Sequence, residues 1–381
     1  MTLPWDRATA TVQPPFAVVD LDAFDANATD LERRAAGLPI RVASKSVRCR
    51  SLLSRALARP GFAGVMSYAV PEARWLVEEG FEDIYVAYPS VDRAALAGVA
   101  ADARTAAEVT LTVDSVEHVE FLAGLDRPHG LRVALDIDAS LRIGRVHLGV
   151  RRSPLREPAD AVALAQAAAA AGLSVVGLMF YDAQIAGLPD SSPAVRLVKK
   201  QSAESLLQRR GEVVAAVREV ADLDFVNGGG TGSLHVTGQD PAVTELAAGS
   251  GLYGPTLFDG YDDFSPQPAA AFALPVVRRP GPGFVTAFGG GYVASGPPGW
   301  SRVPAPFGRA GVKLVKSEGV GEVQTPLQGK GVRDLKLGDR VWFRYAKAGE
   351  MCERFDALHL VRGDQLVETV PTYRGEGKNF G

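Results

Sequence analysis

Lys45 stands in the stretch Arg41-Val-Ala-Ser-Lys-Ser-Val-Arg48, directly after a short apolar, β-branched run. A primary amine there can condense with an aldehyde, and desolvation or a neighbouring cation such as Arg48 would leave more of it nucleophilic. Position alone leaves a solvated loop lysine open. Far downstream lie two glycine-rich runs, Asn227-Gly-Gly-Gly-Thr-Gly-Ser233 and Ala248-Gly-Ser-Gly-Leu-Tyr253. Glycines let backbone N–H groups converge on an anion, and Thr231 and Ser233 add hydroxyl donors. Neither run has the Gly-Lys-Ser/Thr ending of a Walker loop, and neither occupies the first βα turn where a dinucleotide fingerprint belongs. Either run alone can be simple turn punctuation. Taken with Lys45, they suggest an amine that bonds a carbonyl and a cradle that holds a phosphate.

The elements that must position these residues follow from the hydrophobic pattern. Strand-like runs fall near Ile40–Ala43, Ala63–Ser67, Asp83–Ala87, Val109–Val113, Leu131–Asp138, Ser174–Phe180, Asp224–Asn227 and Glu245–Ala248. Stretches of helical period lie between most of them, including Pro71–Glu79, Ser115–Leu125, Ala159–Ala171 and Ala203–Ala221. Eight βα units predict an α/β fold, a (β/α)8 TIM-type barrel, whose chemistry gathers at the C-terminal ends of its strands. Lys45 then follows the first strand, and the glycine runs follow the seventh and eighth, where barrels often bind phosphate. Phe16–Asp20 reads as an additional strand and Asp22–Arg34 as a helix with Asp22 as N-cap.

After about Phe258 helical periodicity ends, and short strands such as Phe284–Thr286, Gly311–Val315, Arg340–Tyr345 and Leu358–Val361 are separated by Gly and Pro turns. The expected division is a barrel over 20–257 and a β-rich domain made of 1–19 plus 258–381.

Composition narrows the function class. The net charge is -3 and the basic residues are scattered, which argues against nucleic acid or anionic lipid and for a small-molecule partner. The two cysteines, Cys49 and Cys352, form neither a disulfide framework nor a zinc-ligand spacing. No long uncharged apolar run and no signal-like N-terminus are present, so a soluble, cytoplasmic protein is expected.

A lysine after strand one and a phosphate cradle after strands seven and eight suit a phosphorylated aldehyde, and pyridoxal 5'-phosphate (PLP) is such a molecule. Further motifs are Val19-Asp-Leu-Asp-Ala-Phe-Asp25, Lys45-Ser46, Pro71-Glu-Ala73 with Gly80 and Asp83-Ile-Tyr85, Ile137-Asp-Ala-Ser-Leu-Arg-Ile-Gly144, and the closing segment Asp356–Gly363. On these residues the chain resembles the fold-type III PLP enzymes, especially the D-threonine aldolase and D-serine dehydratase branch, whose barrel is similar to that of alanine racemase. The resemblance implies that Lys45 holds the cofactor as a Schiff base and moves protons on one face of it. It implies that Arg142 approaches the pyridine ring or its phenolic oxygen. Tyr181 matches the Tyr-Asp/His segment at a strand end, and Gly229, Gly230, Thr231, Gly249 and Ser250 hold the phosphate. The loops 140–158 and 182–197 are expected to shape the substrate pocket, with Asp182 and Gln184 as its polar candidates.

The same resemblance implies a divalent metal in the second domain, held by a His-x-Cys or His-x-Asp pair. This chain has Lys347-Ala-Gly349 there, which contains no usual ligand; a shifted register would offer Glu350 and Cys352. No metal residue is assigned, and Lys347 is a candidate replacement cation. His359 reads as a strand residue. The resulting expectation is a PLP-dependent lyase, an aldolase or a dehydratase, acting on a D-configured β-hydroxy amino acid. The alternatives are an amino-acid racemase with Tyr345 or Tyr373 as its second base, and a non-catalytic PLP carrier, against which the large second domain argues. By analogy a homodimer is expected, with Lys347 working in trans.

Overall fold

Short apolar runs separated by amphipathic helices close edge to edge into a ring. The computed structural model describes residues 3–127 and 129–381. Its first strand, β1 (Phe16–Asp20), precedes the ring. The ring begins with β2 (Ile40–Ala43), β3 (Phe62–Ser67), β4 (Ile84–Val86), β5 (Val109–Val113) and β6 (Leu131–Asp136). A small antiparallel hairpin, β7 (Leu141–Ile143) and β8 (Val146–Leu148), then interrupts it, and β9 (Leu173–Phe180), β10 (Phe225–Gly228) and β11 (Glu245–Ala248) complete it. The closed order is β10-β11-β2-β3-β4-β5-β6-β9, and all pairings within the ring are parallel. All eight expected strands are present.

Parallel strands covered on both faces read as near-continuous apolar runs, and every residue of β2, β5, β10 and β11 is buried. Inside the ring Tyr85, Ala87, Ala134, Val176, Met179 and Phe225 pack together. Gly177 makes room for one of them, since a Cβ there would lie 2.4 Å from the Phe225 ring.

Helix boundaries depart from the expectation where capping residues were passed over. The helix expected at Ala203–Ala221 runs Pro193–Arg218, because Ser192 caps it by accepting from the Val195 N–H at 3.3 Å and Pro193 suits its first position. The expected loop 182–197 therefore holds a short helix, Ala183–Ala186, and the start of this long one. The expected loop 140–158 contains the β7–β8 hairpin. Asp22 is not the cap of the first long helix, Leu21–Arg34. Asp20 is, its carboxylate accepting from the N–H groups of Asp22 and Ala23 at 3.0 and 3.2 Å.

The C-terminal part forms a separate sheet from β12 (Ala270–Gly281), β13 (Phe284–Phe288), β14 (Ala305–Phe307), β15 (Lys313–Leu314), β16 (Gln324–Gln328), β17 (Arg340–Arg344), β18 (Ala357–Arg362) and β19 (Gln365–Pro371). It incorporates β1, which pairs antiparallel with β12 and parallel with β18. Trp5, Phe16, Val18, Trp342 and Val361 belong to its core, with Trp5 and Phe16 set edge-on to Trp342 at 5.6 and 5.5 Å. The longest strand, β12, was not anticipated: Pro275 and Pro280 interrupt its sequence, and alanines dilute its β-propensity. Internal contacts divide the chain into two compact units. The β unit takes the N-terminal residues through Asp30, Ser46–Ser54 and Ser250–Asn379; the barrel unit takes Leu31–Lys45, Arg55–Gly249 and the last two residues.

Candidate active site

Lys45 leaves β2 in a single 3-10 turn, Ser44–Ser46, at the C-terminal end of the barrel. Its Nζ donates a 2.5 Å hydrogen bond to the Tyr88 hydroxyl and lies 5.2 Å from the centre of that ring. Tyr88 follows β4. Arg152, from the segment after β8, places its guanidinium over two rings, 5.7 Å from Tyr88 and 5.1 Å from Tyr181, which directly follows β9. Burial pushes the Tyr88 phenol up, but the Lys45 ammonium, its hydrogen bond and the Arg152 charge outweigh it and hold the phenol below the usual tyrosine range. Tyr181 is raised, because burial there exceeds the pull of Lys45 and Arg152.

One glycine-rich loop leaves β11, which pairs directly with the strand of Lys45, and the other leaves β10, one strand further on. Gly229 has φ +78°, where an L side chain is strained. A Cβ on Gly230 would come 2.9 Å from that of Ala186 and 3.8 Å from the Tyr181 ring, so Gly230 and Tyr181 are neighbours. The loop is anchored from beneath by Asp182, whose carboxylate accepts from the Ser233 and Thr237 hydroxyls at 2.9 and 2.6 Å; Ser233 Oγ in turn accepts from the Gly230 N–H at 3.1 Å. Full burial raises Asp182 above the usual carboxylate range despite these bonds and nearby Arg210. The Thr231 carbonyl accepts from Arg34 at 2.6 Å. Gly249 ends the turn after β11, and Ser250 opens the short helix Ser250–Tyr253.

Arg142 is placed differently from Tyr181. It lies on the β7–β8 hairpin, its side chain 44% exposed, and pairs with Asp138 at 2.6 Å. The guanidinium over the Tyr88 and Tyr181 rings is that of Arg152. Gln184, on the short helix after Tyr181, donates to the Ala139 carbonyl at 2.7 Å.

Asp136, the last residue of β6, is a functional candidate that sequence reasoning passed over. It is 6% exposed, and its carboxyl has no hydrogen bond or ion pair among the described residues. Burial, then the neighbouring Asp114 carboxylate, pushes it up to about 7, against the opposing charge of Arg152. Asp114 is itself raised by burial, though His118 stands 2.9 Å away. Tyr88, Arg152 and Asp136 share one signal: each lies at a strand end or in an insertion on the catalytic face, within a few residues of a position that was read.

These residues fit PLP. An amine at one strand end, an aromatic ring beside a glycine loop, a left-handed Gly229 and a Gly230 that a Cβ would crowd are the chemistry a phosphorylated aldehyde calls for. The residues expected near a metal do not fit one. In the β unit both Glu350 carboxylate oxygens accept from the Ser295 N–H at 3.1 Å, and the Lys347 ammonium donates to Ser295 Oγ at 3.1 Å. Burial pushes the Cys352 thiol well up, away from the thiolate a metal requires, and its Sγ donates to the Val47 carbonyl at 3.4 Å. Among the described residues no three His, Cys, Asp or Glu side chains group as ligands. His359 lies in β18, hydrogen-bonded to Thr369 at 2.9 Å.

The profile of the alanine racemase N-terminal domain matches residues 19–256. The chain belongs to that family. It is a fold-type III PLP protein, and relatives in sequence carry the names of aldolases. A 3-hydroxy-D-aspartate aldolase of Paracoccus denitrificans (strain Pd 1222) is 25% identical over 253 residues, covering 63% of this chain and 60% of that protein. A D-threonine aldolase of an Arthrobacter species is 28% identical over 264 residues, covering 66% and 65% of the two chains. The fold is that of the D-threonine aldolase from Filomicrobium marinum, with a TM-score of 0.80, 24% identity and 96% of each chain covered. No helix among the described residues is long and apolar enough to cross a membrane.

Proposed function

We propose that this protein is a PLP-dependent lyase that cleaves a D-configured β-hydroxy amino acid, with Lys45 as the residue that bonds the cofactor. The observation that carries this reading is the Lys45 amine at the barrel mouth, hydrogen-bonded to Tyr88, on β2, with the glycine loops following the next two strands of the ring, β11 and β10. The aldolase names of the sequence relatives favour carbon–carbon cleavage over dehydration. When bound, PLP supplies an electron sink for the negative charge that develops at the substrate's Cα.

The chain's own residues then have separate tasks. Gly229, Gly230, Thr231, Gly249 and Ser250 hold the phosphate, and Asp182 keeps the first of these loops in shape. Tyr181 would face the cofactor's ring and Arg152, over Tyr181, would supply positive charge there, with Arg142 on Asp138 as the second cation of that insertion. Lys45 Nζ takes up and returns a proton, and the Tyr88 hydroxyl positions it. The working unit is proposed to be a homodimer in the cytoplasm.

Mixing the protein with PLP should produce a cofactor absorbance that borohydride fixes covalently to the chain, and Lys45→Ala should lack it. D-threonine should yield glycine and acetaldehyde, and D-3-hydroxyaspartate glycine and glyoxylate, both unaffected by EDTA. Keto acid with ammonia would point to dehydration instead. Solvent deuterium entering Cα with loss of optical activity would point to racemisation. No product from a broad panel of β-hydroxy amino acids would refute the lyase reading.

A further inference from the structure

Strands β5 and β6 lie side by side in the ring, with Thr112 opposite Ala134 and Val113 opposite Leu135. The next residues along, Asp114 just past β5 and Asp136 at the end of β6, are therefore neighbours as well. Thr112 Oγ lies 2.9 Å from the Tyr85 hydroxyl, and Tyr85 and Ala134 both pack inside the ring. Side chains alternate along a strand, so two residues further on both carboxyls turn toward that same interior, at the mouth where Lys45 emerges. Both are buried. Neighbouring strands are about 4.8 Å apart, and two buried carboxyls at that spacing do not both ionise readily.

The two acids are not equivalent. Asp114 has an ion partner in His118 at 2.9 Å, on the helix that follows, with Glu117 beside it. Asp136 has no hydrogen bond or ion pair among the described residues. The negative charge of the pair therefore settles on Asp114 and the proton on Asp136. Of the other charged groups around Asp136, Asp138 is held by Arg142 and Arg156 at 2.6 and 3.1 Å. Arg152 draws Asp136 toward its ionised form and has no ion pair of its own among the described residues. From the β4 side, the Tyr85 and Tyr88 phenols lie within reach of the Asp136 charge, and Tyr88 carries the hydrogen bond from Lys45.

We propose that Asp114 and Asp136 work as one acid pair sharing a proton at the barrel mouth, and that Asp136 is a positioning residue acting through Tyr88 and Arg152. Its charge sets how firmly Tyr88 keeps its proton beside the Lys45 amine, and how much of the Arg152 charge a ligand meets. While the pair holds its proton, Arg152 stands as uncompensated positive charge for an anionic cofactor. When that proton passes to solvent, the Asp136 carboxylate offsets Arg152 and holds the Tyr88 proton more strongly. The role given to Asp136 rests on the lyase reading; the pair itself does not.

Carbon-13 NMR of the full chain, labelled at its aspartate carboxyls and free of PLP, tests the pair. One carboxyl should titrate near pH 7, vanish in Asp136→Asn, and move down by about one unit in Asp114→Asn. Ultraviolet titration of the same protein reads Tyr88. Asp136→Asn should shift the earliest tyrosinate signal to lower pH by about half a unit, and Asp136→Glu should restore it. With PLP added, parent and Asp136→Asn should bind it alike at pH 6, whereas at pH 8 the variant should bind about threefold more tightly, since only there does the parent carry the extra carboxylate. Melting curves establish that each variant is folded. An Asp136 carboxyl that titrates below pH 5, a midpoint unmoved by Asp114→Asn, a tyrosinate signal unmoved by Asp136→Asn, or a PLP affinity ratio that is the same at both pH values would each overturn the proposal. The NMR and ultraviolet readings need neither PLP nor substrate, so failure of the lyase reading is told apart from failure of the pair.

Discussion

Two polar clusters lie toward opposite ends of the same barrel. Toward the strand starts, buried Arg41 makes two hydrogen bonds of 2.8 Å to Glu245 and two more to Asp83, at 2.7 Å to its carbonyl and 2.9 Å to its carboxylate; Asn227 donates to Glu245 at 2.8 Å. Burial works to lower the Arg41 guanidinium, but Glu245 and Asp83 outweigh it and hold it well above its ordinary value. At the strand ends, Lys45 donates to the Tyr88 phenol, Arg152 meets two rings, and the Asp136 carboxyl meets no hydrogen-bond partner among the described residues. The first cluster is saturated and joins β11 to β2. The second keeps proton and charge exchange within reach of a ligand. Saturated buried charge locks a structure, whereas incompletely paired buried charge marks the place where chemistry can occur.

The contrast can be broken most forcefully at Glu245. Glu245→Ala leaves Arg41 buried and under-compensated and should cost about 3–5 kcal/mol in urea unfolding; an unchanged midpoint would remove the distinction between the clusters. At Asp136 the effect should have the opposite sign. The folded protein binds the Asp136 proton more tightly than the unfolded chain, so its contribution to stability is present below pH 4, declines as the pH rises toward 7 and is lost above it. Asp136→Asn should therefore flatten the pH dependence and raise stability at pH 8 relative to the parent by on the order of 3 kcal/mol. A variant no more stable at pH 8 than at pH 5, relative to the parent, would show that the carboxyl is paired in solution.

Smaller effects sharpen the comparison. Asp182→Asn should cost about 1–3 kcal/mol, because one carboxylate oxygen that accepts a hydroxyl is replaced by a donor, and it should weaken PLP retention as the glycine loop loosens. Stability lost without any change in PLP affinity would separate Asp182 from the cradle. Tyr88→Phe should change stability by about 1 kcal/mol or less. It should, however, delete the earliest tyrosinate signal in an ultraviolet pH titration, since Tyr88 lies below the usual range.

Much of this was legible in the chain. Each barrel strand announces itself by a short apolar run, because burial on both faces is a property of its own residues. Lys45 and the glycine loops could be found because residues just past a strand occupy the catalytic face. Arg152 was hidden by Arg142: both lie in the insertion after β6, and only the β7–β8 hairpin decides which guanidinium reaches the rings. Tyr88, just past β4, and Asp136, the last residue of β6, carry no local signal that separates them from other residues near a strand end.

The sequence by itself determined the barrel, the β-rich second unit, the amine and the phosphate-type loops, because periodicity, glycine content and position after a strand are local. Tertiary structure alone decided that Lys45 meets Tyr88, 43 residues away, and that β11 closes against β2, so that the strands bearing the glycine loops are the next two in the ring from that of the amine. It also decided that Asp136 is left with no hydrogen-bond partner among the described residues while Arg41 is fully paired. Those outcomes depend on which strands become neighbours when the ring closes and on how much water that closure removes, and neither can be read from any one segment of the chain.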